Sequence, residues 1–381
     1  MIRFSIHYFL LFTLMATVFP YFQLFLGALG FSDVEVGYLL GLTSLAGVCG
    51  PIAVGHLADR LRRRRVLILA SLAAFAGLLV PLGATGAFWP AAVLAVGIGL
   101  SGRTAIPLSD ALASTELADP THSYGRVRLW GSVGFMVTLL AIRATGLVDE
   151  GSAGSMMRCM LAGTALCACS AIFLPDRHRA RPRDGDGGDG GGAGGFDGLF
   201  WLFLLAGFLH QLGMSSYYSF FTRYLKAELG MEQAAWVWAI GPAAEAVVLL
   251  YGGRIIRRFG LRAMLLVSMA SVTVRLVVYS LVPPLAVILP VQLLHAASFG
   301  LFHAASIEFV RRQVPAARRG LAMALYMALA FGLAGWVGSS IGGHVIEAWG
   351  YPSLYRIYAA APLIGIACLA LIGRRLDAKS A

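Results

Sequence analysis

The sequence contains no asparagine and few charged side chains, and both scarcities exclude classes of protein. Without asparagine there is no N-glycosylation sequon. Only 13% of the 381 residues are Asp, Glu, Lys or Arg, about half the share that soluble domains carry, which excludes a soluble enzyme. The HExxH, GxSxG and P-loop patterns are also missing. The five cysteines lie in apolar runs without the spacing of a zinc site, and we expect them to be small packing residues.

Apolar residues dominate the chain instead. They make up 58% of it, and the mean hydropathy is +0.76. A bilayer core about 30 Å thick needs about 20 apolar residues for each helical span. The sequence therefore predicts an all-α membrane protein with twelve transmembrane helices, formed by the runs 5–28, 36–57, 66–85, 88–112, 128–147, 155–174, 198–225, 233–253, 263–282, 285–307, 321–344 and 353–373.

The basic residues are unevenly distributed between the two sides of these runs. The net charge is +11, and 23 of the 30 Lys and Arg residues face the cytoplasm if residue 1 does. The positive-inside rule then predicts cytoplasmic termini and a multi-pass protein of the inner (plasma) membrane, and nucleic acid is not needed as a partner to explain the charge. Because no small-residue cleavage site follows the first apolar run, we expect that run to be a retained helix.

A glycine-rich segment divides the chain into two halves. Residues 175–197 contain glycine and charged residues in place of apolar ones, which is typical of a solvated linker on the cytoplasmic side. The halves, 1–174 and 198–381, repeat a motif: GFSDVEVGYLLG around Gly30 and GMEQAAWVWAIG around Gly230 are 200 positions apart. Two related six-helix bundles are typical of secondary transporters.

Several ionisable residues lie within predicted spans, where charge is costly unless it faces a cavity and has a partner. With a rise of about 1.5 Å per residue, Glu245, Arg275 and His295 lie about 10 to 18 Å from the outer ends of their spans. We expect Glu245 to carry a coupled proton, Arg275 to modulate its pKa, and His295 to relay the proton or bind substrate. The alternative is a static polar cluster. His303 is equally consistent with a proton relay and with packing.

Arg103 lies near the middle of the fourth span, seven residues before Asp110 on the same predicted helix face. It either pairs with Asp110 or faces the cavity and binds a substrate carboxylate. Asp110 lies near the cytoplasmic end of this span, close to Arg126 and Arg128, and we expect a charge network between helices there.

Aromatic residues are frequent in the first and seventh spans. Tyr21, Gln211 and Tyr217 are candidates for binding a flat or aromatic ligand, with Tyr217 and Gln211 supplying hydrogen bonds. Most of the neighbouring aromatic residues are expected to face lipid or to pack.

The loop between the second and third spans reads GHLADRLRRRR from residue 55. It resembles the signature loop of the major facilitator superfamily. The resemblance implies that Gly55 allows close helix approach and that Asp59 and Arg60 form a latch in the outward-facing state, to which we add Asp110, Arg126 and Arg128. A generic basic loop is the alternative, since Arg62 replaces the second glycine of the pattern.

A narrower resemblance covers nearly the whole chain. IPLSDALA from residue 106, YGRVRLWGSVGF from residue 124, and VQLLH ending at His295 are similar to the 3-phenylpropionic acid transporter family, a neighbour of the sugar and nucleoside proton symporters. The resemblance implies twelve helices, alternating access and proton-coupled uptake of a small organic substrate.

The sequence thus predicts a monomeric proton-coupled transporter of a small organic substrate, such as an aromatic carboxylate, with no cofactor. An exporter of hydrophobic compounds and a symporter of a sugar or nucleoside are the transport alternatives. A membrane receptor or sensor would need an output domain, and the linker is too short to hold one. A membrane enzyme would need a catalytic set that the sequence does not show.

Overall fold

The computed structural model describes residues 1–61, 63–117, 120–175 and 196–372, and in these ranges the chain is helical without β-strands. Most of the predicted linker lies outside the described residues. The α-helices are α1 Ile2–Ala28, α2 Asp33–Leu61, α3 Arg64–Gly83, α4 Phe88–Gly102, α5 Ala105–Glu116, α6 Pro120–Thr145, α7 Ala153–Ile172, α8 Gly198–Leu229, α9 Ile240–Phe259, α10 Leu261–Ser280, α11 Leu285–Gln292, α12 Phe302–Gln313, α13 Arg319–Tyr326, α14 Ala334–Tyr358 and α15 Ala360–Ile372.

Ten stretches of the described residues are long and apolar enough to cross a membrane. The last, Ala316–Ala370, has 55 residues and contains a break at Gly350 (φ 77°, ψ 171°), so it holds two crossings. The 20 residues of α9 reach about 30 Å and add another crossing. The prediction of an all-α membrane protein with twelve transmembrane helices is confirmed.

Several crossings are interrupted near their middle. The fourth is divided at Arg103 and Thr104, between α4 and α5. The tenth contains Pro290, which lacks an N–H, and then a π-helical segment, Ala296–Leu301, before α12 begins. A second π-helical segment, Met327–Leu333, separates α13 from α14. Wider helical turns of this kind frequently occur at functional sites.

The repeated motif forms the same turn in each half. Gly30 has φ +94° after α1, and Gly230 has φ +64° after α8, a region that favours glycine. In the first copy Ser32 and Glu35 cap α2 reciprocally, since each side chain accepts from the other residue's backbone N–H. We call the end of the bundle with residues 28–33 and 229–235 the predicted outer end.

Each half is organised around its first helix. α1 packs between α6 and α7, and α8 packs against α14 and α15. His7 of α1 is fully buried and contacts Ser170 Oγ at 2.8 Å and Ser109 Oγ at 2.9 Å, which ties three helices together. Lipid tails are as apolar as the helix surfaces, so the hydrophobic effect does not drive helices together within the bilayer. Hydrogen bonds of this kind and close packing therefore stabilise the bundle.

The halves meet where α2 of the first half packs on α14 of the second. Small residues allow the backbones to approach closely. A Cβ on Gly343 would collide with the backbone of Asp33 and Val34, and one on Gly41 would lie 3.0 Å from the carbonyl oxygen of Trp336. The joint closes the predicted outer end.

Candidate functional site

Arg275 of α10 lies at the centre of a buried polar cluster, with 1% of its surface exposed. Its Nη1 donates to Ser298 Oγ (2.8 Å) and His295 Nδ1 (3.1 Å), and its Nη2 donates to Gln292 Oε1 (2.9 Å). The guanidinium carbon lies 4.4 Å from the centre of the Tyr217 ring, a cation–π contact. Hydrogen bonds from Nη1 and Nη2 therefore fix the guanidinium in its plane, and the Tyr217 ring covers one of its faces.

The geometry around His295 assigns its proton. A guanidinium can only donate, so Nδ1 of His295 accepts from Arg275 and the ring carries its proton on Nε2. That Nε2 is 3.0 Å from Oε1 of Glu245 in α9. Arg275, His295 and Glu245 thus form a chain: Arg275 donates to His295 Nδ1, and His295 Nε2 lies within ion-pair distance of Glu245 Oε1, an oxygen without a hydrogen-bond partner among the described residues. The structure brings the three predicted residues together in one layer.

Solvent access decreases along this chain. The side chain of Glu245 is 19% exposed and that of His295 is 7% exposed, while Arg275 is sealed off. Glu245 is the member able to exchange a proton with water. The Tyr218 hydroxyl lies close enough to interact electrostatically with both Glu245 and Arg103, which faces it from the other half.

Arg103 does not pair with Asp110. The fourth crossing is broken at Arg103, so the two side chains do not share one helix face, and this expectation from the sequence is wrong. The guanidinium is exposed, and Nη2 makes a long contact of 3.4 Å with Ser44 Oγ. Within the described ranges it forms no ion pair. Of the two readings of Arg103, this geometry is compatible with the one that faces the cavity.

His303 lies two turns beyond His295 along the same crossing. Phe299 is stacked between the two imidazoles, with ring centroids 5.8 Å from His295 and 5.9 Å from His303. His303 Nδ1 is buried and has no hydrogen-bond partner among the described residues. Phe299 separates the two rings, so they share no hydrogen bond.

The predicted ligand-binding residues of the first and seventh spans are buried in this conformation. Tyr21 is 2% exposed in the core of the first half, and Gln211 is 4% exposed with Oε1 unpartnered in the described part of the chain. Tyr217 is 1% exposed beneath Arg275. Its neighbour Tyr218, another aromatic residue of the seventh span, is only partly buried.

The structure describes only part of the predicted latch. The side chain of Asp59 lies outside what the structure describes, and Arg60 is exposed. In this conformation, which is closed at the predicted outer end, nothing among the described residues lies within 4 Å of a Cβ added to Gly55. The latch is expected in the outward-facing state, so the role of Gly55 stays a prediction. Gly50, in the same helix, packs closely on the backbone of Leu100.

The network around Asp110 is built by tyrosine and not by ion pairs. Tyr8 donates to Asp110 Oδ1 at 2.5 Å. The guanidinium of Arg128 lies over the Phe12 ring, 4.2 Å from its centre, and Arg126 is exposed. In the described ranges no direct ion pair links Asp110 to either arginine, and the expected charge network between helices stays a prediction.

Two ion pairs join the halves at the predicted outer end. Arg223 Nη2 of α8 is 2.6 Å from Asp33 Oδ1 at the start of α2, and Tyr351 donates to the same oxygen at 3.1 Å. Nearby, Lys226 Nζ is 3.5 Å from Glu150 Oε2. Both bases lie on α8, one turn apart.

Glu150 is a buried carboxylate that crosses from one half to the other. It is 6% exposed, and its two oxygens accept from the backbone N–H groups of Ala234 and Ala235, at 2.9 and 3.0 Å. One sequence signal points to these contacts, because Arg223 and Lys226 are among the few basic residues on the predicted outer side. Their acidic partners, far away in sequence, were not identifiable.

Twelve crossings in two bundles, with a buried ionisable chain in the second bundle and one end closed by contacts between the halves, define a secondary transporter and not an enzyme. The sequence pattern of the MFS_1 like family matches residues 1–357, and the chain belongs to this family. The family is part of the major facilitator superfamily of transporters.

Curated relatives and solved structures agree with this assignment. The chain is 27% identical to "Maltose permease" of Geobacillus stearothermophilus, over 98% of this chain and 94% of that protein. It is 27% identical to "Probable 3-phenylpropionic acid transporter" of Escherichia coli (strain K12), over 86% of each. A mutant of the nucleoside transporter NupG has the same fold, with a TM-score of 0.85 at 15% identity over 98% of this chain and 99% of that one.

Proposed function

We propose that this transporter carries a small organic substrate into the cell together with a proton, and that Glu245 holds the proton. The observation that carries the proposal is the chain from Arg275 through His295 to Glu245, which is reachable by water only at its Glu245 end. An intramembrane carboxyl group is costly to maintain, which favours a functional role.

The chain supports a simple cycle of protonation. As a carboxylate, Glu245 attracts the nearby Nε2–H group of His295, while Arg275 donates to Nδ1 and prevents a second proton from binding there. A proton arriving from the outer side neutralises Glu245 and removes its attraction to His295. The uncharged group then moves through the rocking of the halves at lower electrostatic cost, and the proton leaves on the other side.

The proposed substrate is an aromatic carboxylate. Support comes from the exposed guanidinium of Arg103, which faces Tyr218 across the space between the halves, and from the nearby Phe299 ring. The relative named for 3-phenylpropionic acid agrees with this class, whereas the relatives named for maltose and nucleosides favour neutral polar substrates.

The proposed cycle moves the bundles 1–174 and 198–381 against each other, with 175–197 as the linker. The outer contacts at Asp33 and Glu150 would close the outer side, and Gly55, Asp59 and Arg60 would form the opposite latch. We propose cytoplasmic termini, an inner-membrane location and a monomeric transporter, in line with the distribution of arginines.

Uptake into proteoliposomes tests this function. Labelled 3-phenylpropionate, maltose and uridine are each offered with and without an inward proton gradient, to the wild type, Glu245→Gln and the matched control Glu228→Gln, an exposed carboxylate at the end of α8. We expect gradient-driven accumulation of 3-phenylpropionate by the wild type and the control, and exchange without accumulation by Glu245→Gln.

Two results would contradict the proposal. Gradient-driven accumulation that survives in Glu245→Gln would remove Glu245 as the coupling acid. Depletion of the substrate by an inward proton gradient would establish an exporter instead. Accumulation of maltose or uridine alone would keep the coupling and replace the substrate class.

A further inference from the structure

His210 of α8 is a fully buried imidazole that the proposed proton cycle does not use. Its Nε2 is 2.7 Å from the carbonyl oxygen of Ser298, so Nε2 carries the proton and donates it. The ring lies flat on Phe302, with centroids 3.7 Å apart and planes 6° apart. Nδ1 has no partner among the described residues, so a second proton there would create an unpaired buried charge. His210 is therefore suited to hold a position and not to carry a proton.

The carbonyl that His210 binds belongs to the π-helical segment Ala296–Leu301. In a continuous α-helix the carbonyl of Ser298 would accept from the N–H of Phe302. Here the N–H of Phe302 bonds to the carbonyl of Phe299, and His210 donates to Ser298 from the neighbouring helix. The side chain of His210 thus stabilises the wider turn at the point where the regular ladder is broken.

Ser298 connects this turn to the proton chain. Its hydroxyl accepts from Arg275 Nη1 at 2.8 Å, and the same Nη1 donates to His295 Nδ1 at 3.1 Å. If Ser298 moved toward α-helical geometry, the hydroxyl would leave Nη1 and the guanidinium would lose one of its anchors. His295 Nδ1 would then lose its fixed donor, and both tautomers of the ring would become accessible.

We propose that His210 is a positioning residue for the chain formed by Arg275, His295 and Glu245. Through Ser298 it keeps Arg275 against His295 Nδ1, which fixes the imidazole proton on Nε2 toward Glu245. The significance of this arrangement for transport rests on the proposed function, whereas the positioning itself is a property of the buried cluster and is measurable without any substrate.

The experiment compares variants that keep or delete the donor. His210→Gln retains an N–H near the position of Nε2, and His210→Leu removes it at similar volume. Ser298→Ala deletes the hydroxyl that accepts from Arg275 and keeps the carbonyl. The matched control is Ser268→Ala, which removes a buried hydroxyl bonded to the carbonyl of Met264 in its own helix.

The readout is infrared titration of the carboxylic acid band of Glu245 in reconstituted protein, assigned as the band that Glu245→Gln removes. We expect His210→Leu and Ser298→Ala to move the midpoint by about one pH unit or more, because the donor and charge nearest to the His295–Glu245 pair change position. His210→Gln and Ser268→Ala should stay within about 0.3 pH unit of the wild type.

The outcomes separate this proposal from the proposed function. A wild-type midpoint in His210→Leu, or a shift in His210→Gln as large as in His210→Leu, would overturn the positioning role. If His210→Leu does not fold, an unshifted midpoint in Ser298→Ala would overturn it instead. Loss of proton-driven uptake in the wild type would contradict the proposed function only, since the titration needs no transport.

Discussion

Arg223 of the second half and Asp33 of the first are 2.6 Å apart, although 190 positions separate them in sequence. With Tyr351 as a third partner, the pair lies at the end of the bundle where α2 and α14 close the joint. The structure is therefore closed at the predicted outer end, and in the proposed cycle the stability of this closure sets how easily the halves move apart there.

Neutralising this pair should open the predicted outer end. Both side chains are partly exposed, so we expect Asp33→Asn to weaken closure by about 1 kcal/mol, a shift of about fivefold in the ratio of closed to open forms. Arg223→Gln should have the same effect, and the double variant should add little, because the two residues share one interaction.

Spin-label distances measure this shift. Nitroxides at positions 86 and 281, on connections of the two halves at this end, would show a larger population of long distances in Asp33→Asn. Glu35→Gln is the control, because Glu35 caps its own helix and does not reach the other half. An unchanged distance distribution in both single variants would show that the pair does not hold the outer end closed.

Adding a methyl group at Gly343 should block closure altogether. A Cβ there would collide with backbone atoms of Asp33 and Val34, which cannot move aside like a flexible side chain. We expect Gly343→Ala to bind substrate with nearly normal affinity and to lose transport. Gly77→Ala in α3, where nothing among the described residues lies within 4 Å of the added atom, is the matched control. Normal turnover in Gly343→Ala would contradict the role of this joint.

Removing the charge of Arg103 should affect a carboxylate substrate more than its neutral amide. A charge-assisted hydrogen bond contributes about 1.5 to 3 kcal/mol, so Arg103→Gln should weaken binding of 3-phenylpropionate about tenfold or more. Binding of 3-phenylpropionamide should change little. Isothermal titration with Arg356→Gln, an exposed arginine elsewhere in the second half, provides the comparison. Equal losses for acid and amide would exclude charge recognition by Arg103.

Deleting the Tyr8 hydroxyl should destabilise the first half. The hydroxyl donates to Asp110, and its loss leaves a partly buried carboxylate with one partner fewer. We expect Tyr8→Phe to cost about 1 to 2 kcal/mol of unfolding free energy and to lower the melting temperature by a few degrees. Tyr251→Phe, at an exposed tyrosine, should melt like the wild type. A wild-type melting temperature in Tyr8→Phe would mean that Asp110 does not need this bond.

The sequence predicted the number of helices, because the apolar runs and the charges between them record the bilayer thickness directly. The predicted limits were less accurate in the second half, where the run 233–253 corresponds to α9, Ile240–Phe259. It also placed Glu245, Arg275 and His295 at a similar depth, since a continuous helix makes depth a matter of counting. Counting residues did not predict the surroundings of Arg103, because the helix is interrupted there and the side chain does not pair with Asp110.

Features that depend on contacts between distant residues were not predictable. The partner of Arg223 is set by how the two halves meet, and nothing near residue 33 in sequence indicates it. The role of Ser298 depends on a wide helical turn, for which a single serine among apolar residues gives no signal.

In both ion pairs across the outer joint, the first half supplies the acid and the second half supplies the base. The acids are Asp33 and Glu150, and the bases are Arg223 and Lys226. The duplicated bundles have thus diverged into complementary partners at this rim. Two first halves placed together would oppose acid with acid, and two second halves would oppose base with base. Each bundle therefore disfavours pairing with its own copy, and the arrangement selects the partner encoded in the same chain.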